Sequence, residues 1–264
     1  MDNLLCFEIG EHTLQVSTPS QRIAHWFATA FPAPLSPAML RARVDLNVSV
    51  EDGYGRPFEN FHVDISRTFD TIEYRRSDYL LRVDQSYTTA TISVYDEIAL
   101  KHAIMNLYSA FLVHTETGLL VHSSCVVDRG KAFLFSGYSG VGKSTVAWLS
   151  RPRPLLSNEA TIVKIGDSEA SAINSFPFRS EEGLFTGGQY PLEAIHLLHQ
   201  SANVMRLPIS PSAALLQLMD KVFFWPHDPA ETAKVLSLTT RLVHQVRTYE
   251  LHFQKNDSFW REIS

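Results

Sequence analysis

Phe135 to Ser150 reads FSGYSGVGKSTVAWLS. An apolar run ends in a loop with glycines at 137, 140 and 142, and a helix-forming run follows. Gly137, Gly142, Lys143 and Ser144 satisfy the spacing G-x-x-x-x-G-K-[ST]. Each residue type has a physical job there. Glycines take positive φ and let backbone N–H groups converge on phosphate oxygens without a Cβ in the way. The helix after them starts with unpaired N–H groups and the positive end of its dipole, which favours an anion. Lys143 can reach β- and γ-phosphates, and the Ser144 hydroxyl can ligate Mg²⁺. The competing reading is a plain glycine-rich turn. A strand before the loop and a helix after it favour a nucleoside triphosphate site.

Outward from this loop, GLLVHSSCVVDRGKAFLFSG reads as a hairpin whose two apolar strands flank the turn DRG. After the loop helix, RPRP stops the chain and LLSNEATIVKI returns as strand. FPFRSEEGLFTGGQYP has little periodicity and has the character of an active-site loop. Pro211 after Ser210 opens one C-terminal helix, and DPAE at 228–231 opens another with a cap, an N1 proline and an N3 glutamate. RTYELHF is a late strand.

The first part of the chain is β-rich. TLQVS, RVDLNVSV, FHVDI, TIEYRR, YLLRVD and TATISVY are short and rich in β-branched and aromatic residues. One helix interrupts them at SQRIAHWFATAF. Near Asp96 the period changes, and Leu100, Ile104, Leu107 and Phe111 make one helix face. The expected division is a β-rich domain over residues 1–96 and a nucleotide-binding domain over 97–264.

Composition narrows the function classes. With 264 residues, 45% hydrophobic and 19% charged, the chain can bury a sizeable core. A net charge of -5 makes nucleic acid an unexpected partner. Two cysteines, Cys6 and Cys125, make neither a disulfide framework nor a zinc cluster and suit a cytoplasmic location. No apolar run reaches the roughly 20 residues of a membrane span, and no secretory signal is read at the N-terminus.

Phosphoryl transfer needs a metal between phosphates, charge stabilisation, and a group that orients or deprotonates the acceptor. Asn158 and Glu159 end a short apolar strand, and an acidic residue there can face a metal from the side opposite Ser144. A solvated turn is the alternative. His122, in LLVHSS, is either a satisfied core histidine or a group carried beside the loop by the hairpin. Arg179 can pair with phosphate, and Glu181 can bind metal or a second ligand. Together with Glu182, they equally suit a charged surface loop.

In this order, LLVHSSCVV, GKAFLFSGYSGVGKST, PLLSNEATIV and PFRSEEG resemble the HPr kinase/phosphorylase-like family. That family's P-loop core is similar to that of ATP-dependent phosphoenolpyruvate carboxykinase. The likeness spans roughly Ile98 to Trp260. It implies an α/β fold in which Gly137, Tyr138, Ser139, Gly140, Val141, Gly142, Lys143, Ser144 and Thr145 cradle the phosphates of ATP or GTP. It also implies that Ser144 and Glu159 hold Mg²⁺, and that His122 sits near the transferred group. Asn158 stands where the family has an aspartate serving as general base, and an amide cannot take that proton. The segment after EEG lacks the glycine- and arginine-containing stretch used for the carrier protein, so a peptide, protein or small-molecule hydroxyl is the expected acceptor. The resemblance admits a homo-oligomer without fixing its subunit number. Three readings follow: a hydroxyl kinase using ATP and Mg²⁺, with Arg179 assisting, a nucleotide-binding regulator without transfer activity, or a plain NTPase whose hydrolysis drives a conformational switch.

Overall fold

Residues 3–31, 44–174 and 186–263 are described by a computed structural model. Alternating burial builds the first sheet. β1 (Asn3–Ile9) and β2 (His12–Thr18) form an antiparallel hairpin. Ser20 then starts α1 (Gln21–Ala30) by accepting a hydrogen bond from the Ile23 N–H, and Ile23 and Phe27 face the core. β3 (Leu46–Asp52), β4 (Asp64–Arg67), β5 (Thr71–Arg75), β6 (Tyr79–Asp84) and β7 (Thr89–Val94) complete a mixed seven-stranded sheet. Its order is β1-β2-β3-β7-β6-β5-β4.

α2 (Glu97–His114) packs on β6 and β7 of this sheet. The expected face is buried, but so is every residue from Ala103 to Val113. A helix enclosed on all sides must satisfy its polar groups internally. Asn106 Nδ2 donates to the Tyr79 hydroxyl at 3.1 Å, and the Tyr108 hydroxyl donates to the Ile9 carbonyl at 2.7 Å. The compact units accordingly divide after His114, one helix later than the sequence boundary at residue 97. Trp225–Pro229 also belong to the first unit. There Asp228 pairs with Arg67, and His227 Nδ1 lies 3.4 Å from the Tyr74 hydroxyl.

The second unit is built on a nine-stranded sheet. Its strands are β8 (Gly118–Val121), β9 (Ser123–Asp128), β10 (Lys131–Ser136), β11 (Leu155–Ser157), β12 (Thr161–Ile165), β13 (Ala170–Ile173), β14 (Gln189–Gln200), β15 (Met205–Pro208) and β16 (Arg247–Phe253). β9 and β10 form the expected hairpin about Arg129 and Gly130. GLLVHSSCVVD is not one strand, however. It breaks at His122, where β8 turns to pair with β12 while β9 pairs with β10 and β11. LLSNEATIVKI breaks in the same way into β11 and β12. β14 runs parallel to both β10 and β16, and its start pairs with β13.

α3 (Lys143–Leu149) follows β10, α4 (Pro211–Met219) follows β15, α5 (Pro229–Gln245) precedes β16, and α6 (Trp260–Ile263) follows it. Ser210 caps α4 through the Ala213 N–H, as its sequence position predicts. Below the glycine loop lies an aromatic core of Phe133, Phe135, Phe253, Phe259 and Trp260. Trp260 Nε1 donates to Ser150 Oγ at 3.0 Å, which ties the C-terminal segment to the end of α3. Among the described residues, no helix is long and apolar enough to cross a membrane.

Candidate functional site

The strand–loop–helix order read from FSGYSGVGKST is present. β10 ends at Ser136, and α3 begins at Lys143 with Gly142 as its N-cap at φ 114° and ψ 24°. That is left-handed backbone, and an added Cβ would stand 2.8 Å from Phe253 Cζ. Glycine is the residue that meets both conditions. At Gly140, φ is 81° and an added Cβ meets nothing within 4 Å, so the loop is open on that side. Tyr138, Ser139, Gly140 and Ser144 are exposed, whereas Gly137 and Val141 are buried. Side chains from outside the loop brace it. Ser124 Oγ donates to the Lys143 carbonyl at 3.0 Å, and Gln200 Nε2 donates to the Val141 carbonyl at 3.1 Å.

Lys143 is buried, and its ammonium donates to the carbonyls of Gly137 and Tyr138, each at 3.1 Å. The side chain therefore lies across the first residues of its own loop. Burial, and then the positive charge of Lys221, lower its pKa from the ordinary lysine value.

His122 occupies the break between β8 and β9. Its N–H donates to the Lys221 carbonyl at 2.7 Å, and its own carbonyl accepts from Ser136 Oγ at 2.7 Å. One bond thus fixes it to the last strand residue before the loop. The ring packs on Phe223, with centroids 5.5 Å apart. Its imidazole is held down at about 4, first by burial and next by the Lys143 charge, with Lys221 adding and Glu159 opposing. His122, Lys143, Glu159 and Lys221 therefore share one electrostatic neighbourhood. The imidazole there is neutral at neutral pH, and Lys221 Nζ pairs with Asp220 Oδ2 at 2.6 Å.

Asn158 and Glu159 sit half-buried in the bend between β11 and β12. Buried hydroxyls hold the bend. Ser157 Oγ lies 2.5 Å from Thr161 Oγ1, which lies 2.6 Å from Ser123 Oγ beside His122. The two strand breaks are thus joined by a short polar relay, which brings the histidine segment and the acidic segment together. Among the described residues, no three His, Cys, Asp or Glu side chains form a metal cage. Mg²⁺ does not need one, because substrate phosphates and water complete its shell. Arg179, Glu181 and Glu182 lie outside the described residues.

Lys221 is absent from the sequence reading, and no local signal marks it. The segment LMDKVFFW reaches the site because Phe223 N–H bonds to the Leu120 carbonyl and Val222 bridges to Val121. Gln200 and Phe253 support the loop from β14 and β16, again by pairings remote in sequence.

No protein-family profile matches the sequence, and no curated protein matches it either. Among solved structures, the chain is similar to the Hpr(Ser) kinase/phosphatase from Coxiella burnetii. Identity is 12%, coverage is 51% of this chain and 84% of that one, and the TM-score is 0.28. A likeness of that depth leaves function to the residues themselves.

Proposed function

We propose that this chain binds a nucleoside triphosphate, ATP or GTP, along Gly137 to Thr145 and transfers its terminal phosphoryl group to a hydroxyl. The acceptor is a serine of a peptide or protein, or a small molecule. The observation that carries this reading is the placing of a desolvated Lys143 ammonium and the left-handed Gly142 at one loop that is open at Gly140. An ammonium whose charged form is disfavoured by burial is relieved by a polyanion. The Gly137 and Tyr138 carbonyls that hold Lys143 are neutral acceptors, which phosphate oxygens can outbid.

The residues present fit such a ligand with Mg²⁺. Ser144 is exposed in the first turn of α3, and Glu159 shares the electrostatic environment of His122 and Lys143. These two residues would hold the metal, which when bound neutralises charge between the β- and γ-phosphates. Lys143 and the loop amides stabilise charge on the transferred group. Asn158 cannot accept the acceptor's proton, so Glu159 or His122 takes it. Neutral His122 can hydrogen-bond a phosphate oxygen or the acceptor, and a bound polyphosphate raises its affinity for a proton. Arg179 and Glu181 are assigned supporting roles in charge stabilisation and metal binding.

The test is incubation with γ-labelled ATP and Mg²⁺ beside candidate peptides and proteins, with Lys143→Ala as control. Label on an acceptor with the wild type alone supports the kinase. The Asn158 amide favours a second reading, a nucleotide-binding regulator without transfer. Under that reading the wild type binds nucleotide but is inert, and Asn158→Asp gains transfer.

A further inference from the structure

At the opposite end of β10 from the glycine loop lies a cavity of about 590 Å³. Its charged lining consists of Arg129, Lys131, Arg206 and Arg247 against Asp128 and Glu193. Cations outnumber carboxylates two to one here, in a chain whose net charge is -5. The carboxylates are already engaged. Lys131 Nζ pairs with Glu193 at 2.6 Å, and Arg153 Nε donates to Asp128 at 2.9 Å.

Arg206 and Arg247 are different. Among the described residues, neither guanidinium lies within ion-pair distance of a carboxylate. Arg206 Nε donates to His196 Nε2 at 3.1 Å, and its guanidinium carbon lies over Tyr249, 3.6 Å from the ring centroid. His196 is fully buried and stacked between Phe135 and Tyr249. Burial and then the Arg206 charge keep its imidazole neutral, at about 3. A neutral acceptor orients Arg206 without cancelling its charge. Burial disfavours the Arg206 charge, Tyr249 and Glu193 favour it from a distance, and Arg247 disfavours it. An oriented, stacked guanidinium with no carboxylate bonded to it and a second one nearby is suited to bidentate oxyanion binding. The volume is that of a small-molecule pocket.

We propose that this cavity is a second ligand site, separate from the glycine loop, that binds a small oxyanion, a carboxylate or a phosphate ester, on Arg206 and Arg247. This does not depend on the proposed kinase activity. The probes are inorganic phosphate and citrate, titrated at constant ionic strength and followed by calorimetry and thermal unfolding. At least one gives saturable heat and a raised Tm, and that binding survives in Lys143→Ala. Arg247→Gln alters an exposed side chain and weakens binding at least about tenfold. Arg206→Gln, checked by circular dichroism, does the same. Citrate alone binding assigns a carboxylate, and phosphate alone assigns a phosphate ester. The site is refuted if neither probe saturates, if Arg247→Gln and a folded Arg206→Gln both bind like the wild type, or if Lys143→Ala abolishes binding.

Discussion

At the scale of single residues, Gly142 and His122 carry the most information. Gly142 is required twice over, by its backbone angle and by Phe253 beneath it. Gly142→Ala is expected to destabilise the protein by about 1–3 kcal/mol, measured by urea denaturation, and to weaken nucleotide binding with it. His122 is legible in sequence only as a histidine in an apolar run, with a core role as plausible as a site role. Its position was decided by bonds to Lys221 and Ser136 that leave no local pattern. Its imidazole is expected to stay neutral at pH 7 and to gain its proton only near 4. In NMR titrations Lys143→Met should raise that value, because a repelling charge is lost, and Glu159→Gln should lower it. Opposite movements would show that these charges do not face the ring.

Among the elements, legibility followed local chemistry. The loop and the start of α3 are readable because glycine, lysine and serine at fixed spacing have backbone consequences within a few residues. Ser210 before Pro211 likewise announces α4. β1 and the long β14 are not readable in the same way, since neither has a clean alternation bounded by turn residues. The breaks at His122 and at Asn158–Glu159 carry no glycine or proline. Each is imposed by neighbouring strands that pair in different directions. The Ser123–Thr161–Ser157 hydroxyls hold both breaks. Thr161→Val keeps the shape but takes its partner from the buried Ser157 hydroxyl, while Ser123 Oγ keeps the Val121 carbonyl. A loss of about 1–3 kcal/mol is expected in chemical denaturation, together with reduced phosphoryl transfer through displacement of Glu159. Unchanged stability would mean that the relay does not hold the bend.

For the whole molecule, α2 shows why the domain boundary was hard to place. Its apolar residues invite burial on any sheet, and the sequence does not say which one. Stability should depend on pH through half-buried His122 and buried His196. His122 and His196 titrate in the folded protein at about 4 and about 3, below the ordinary 6.5. The unfolded chain therefore takes up these protons first. The stabilisation is complete above 6.5 and is lost as pH falls toward and through the folded values. The urea midpoint should drop between about pH 7 and about pH 5, and His196→Phe should flatten that slope. A midpoint that holds steady would contradict the burial of these imidazoles.

The central claim, that the loop from Gly137 to Thr145 holds a polyphosphate through Lys143, is tested most directly by titration calorimetry with ATP and Mg²⁺. Saturable binding to the wild type that Lys143→Ala abolishes, in a protein whose unfolding is otherwise unchanged, is the predicted result. No heat with either ATP or GTP, or equal binding by Lys143→Ala, would contradict it.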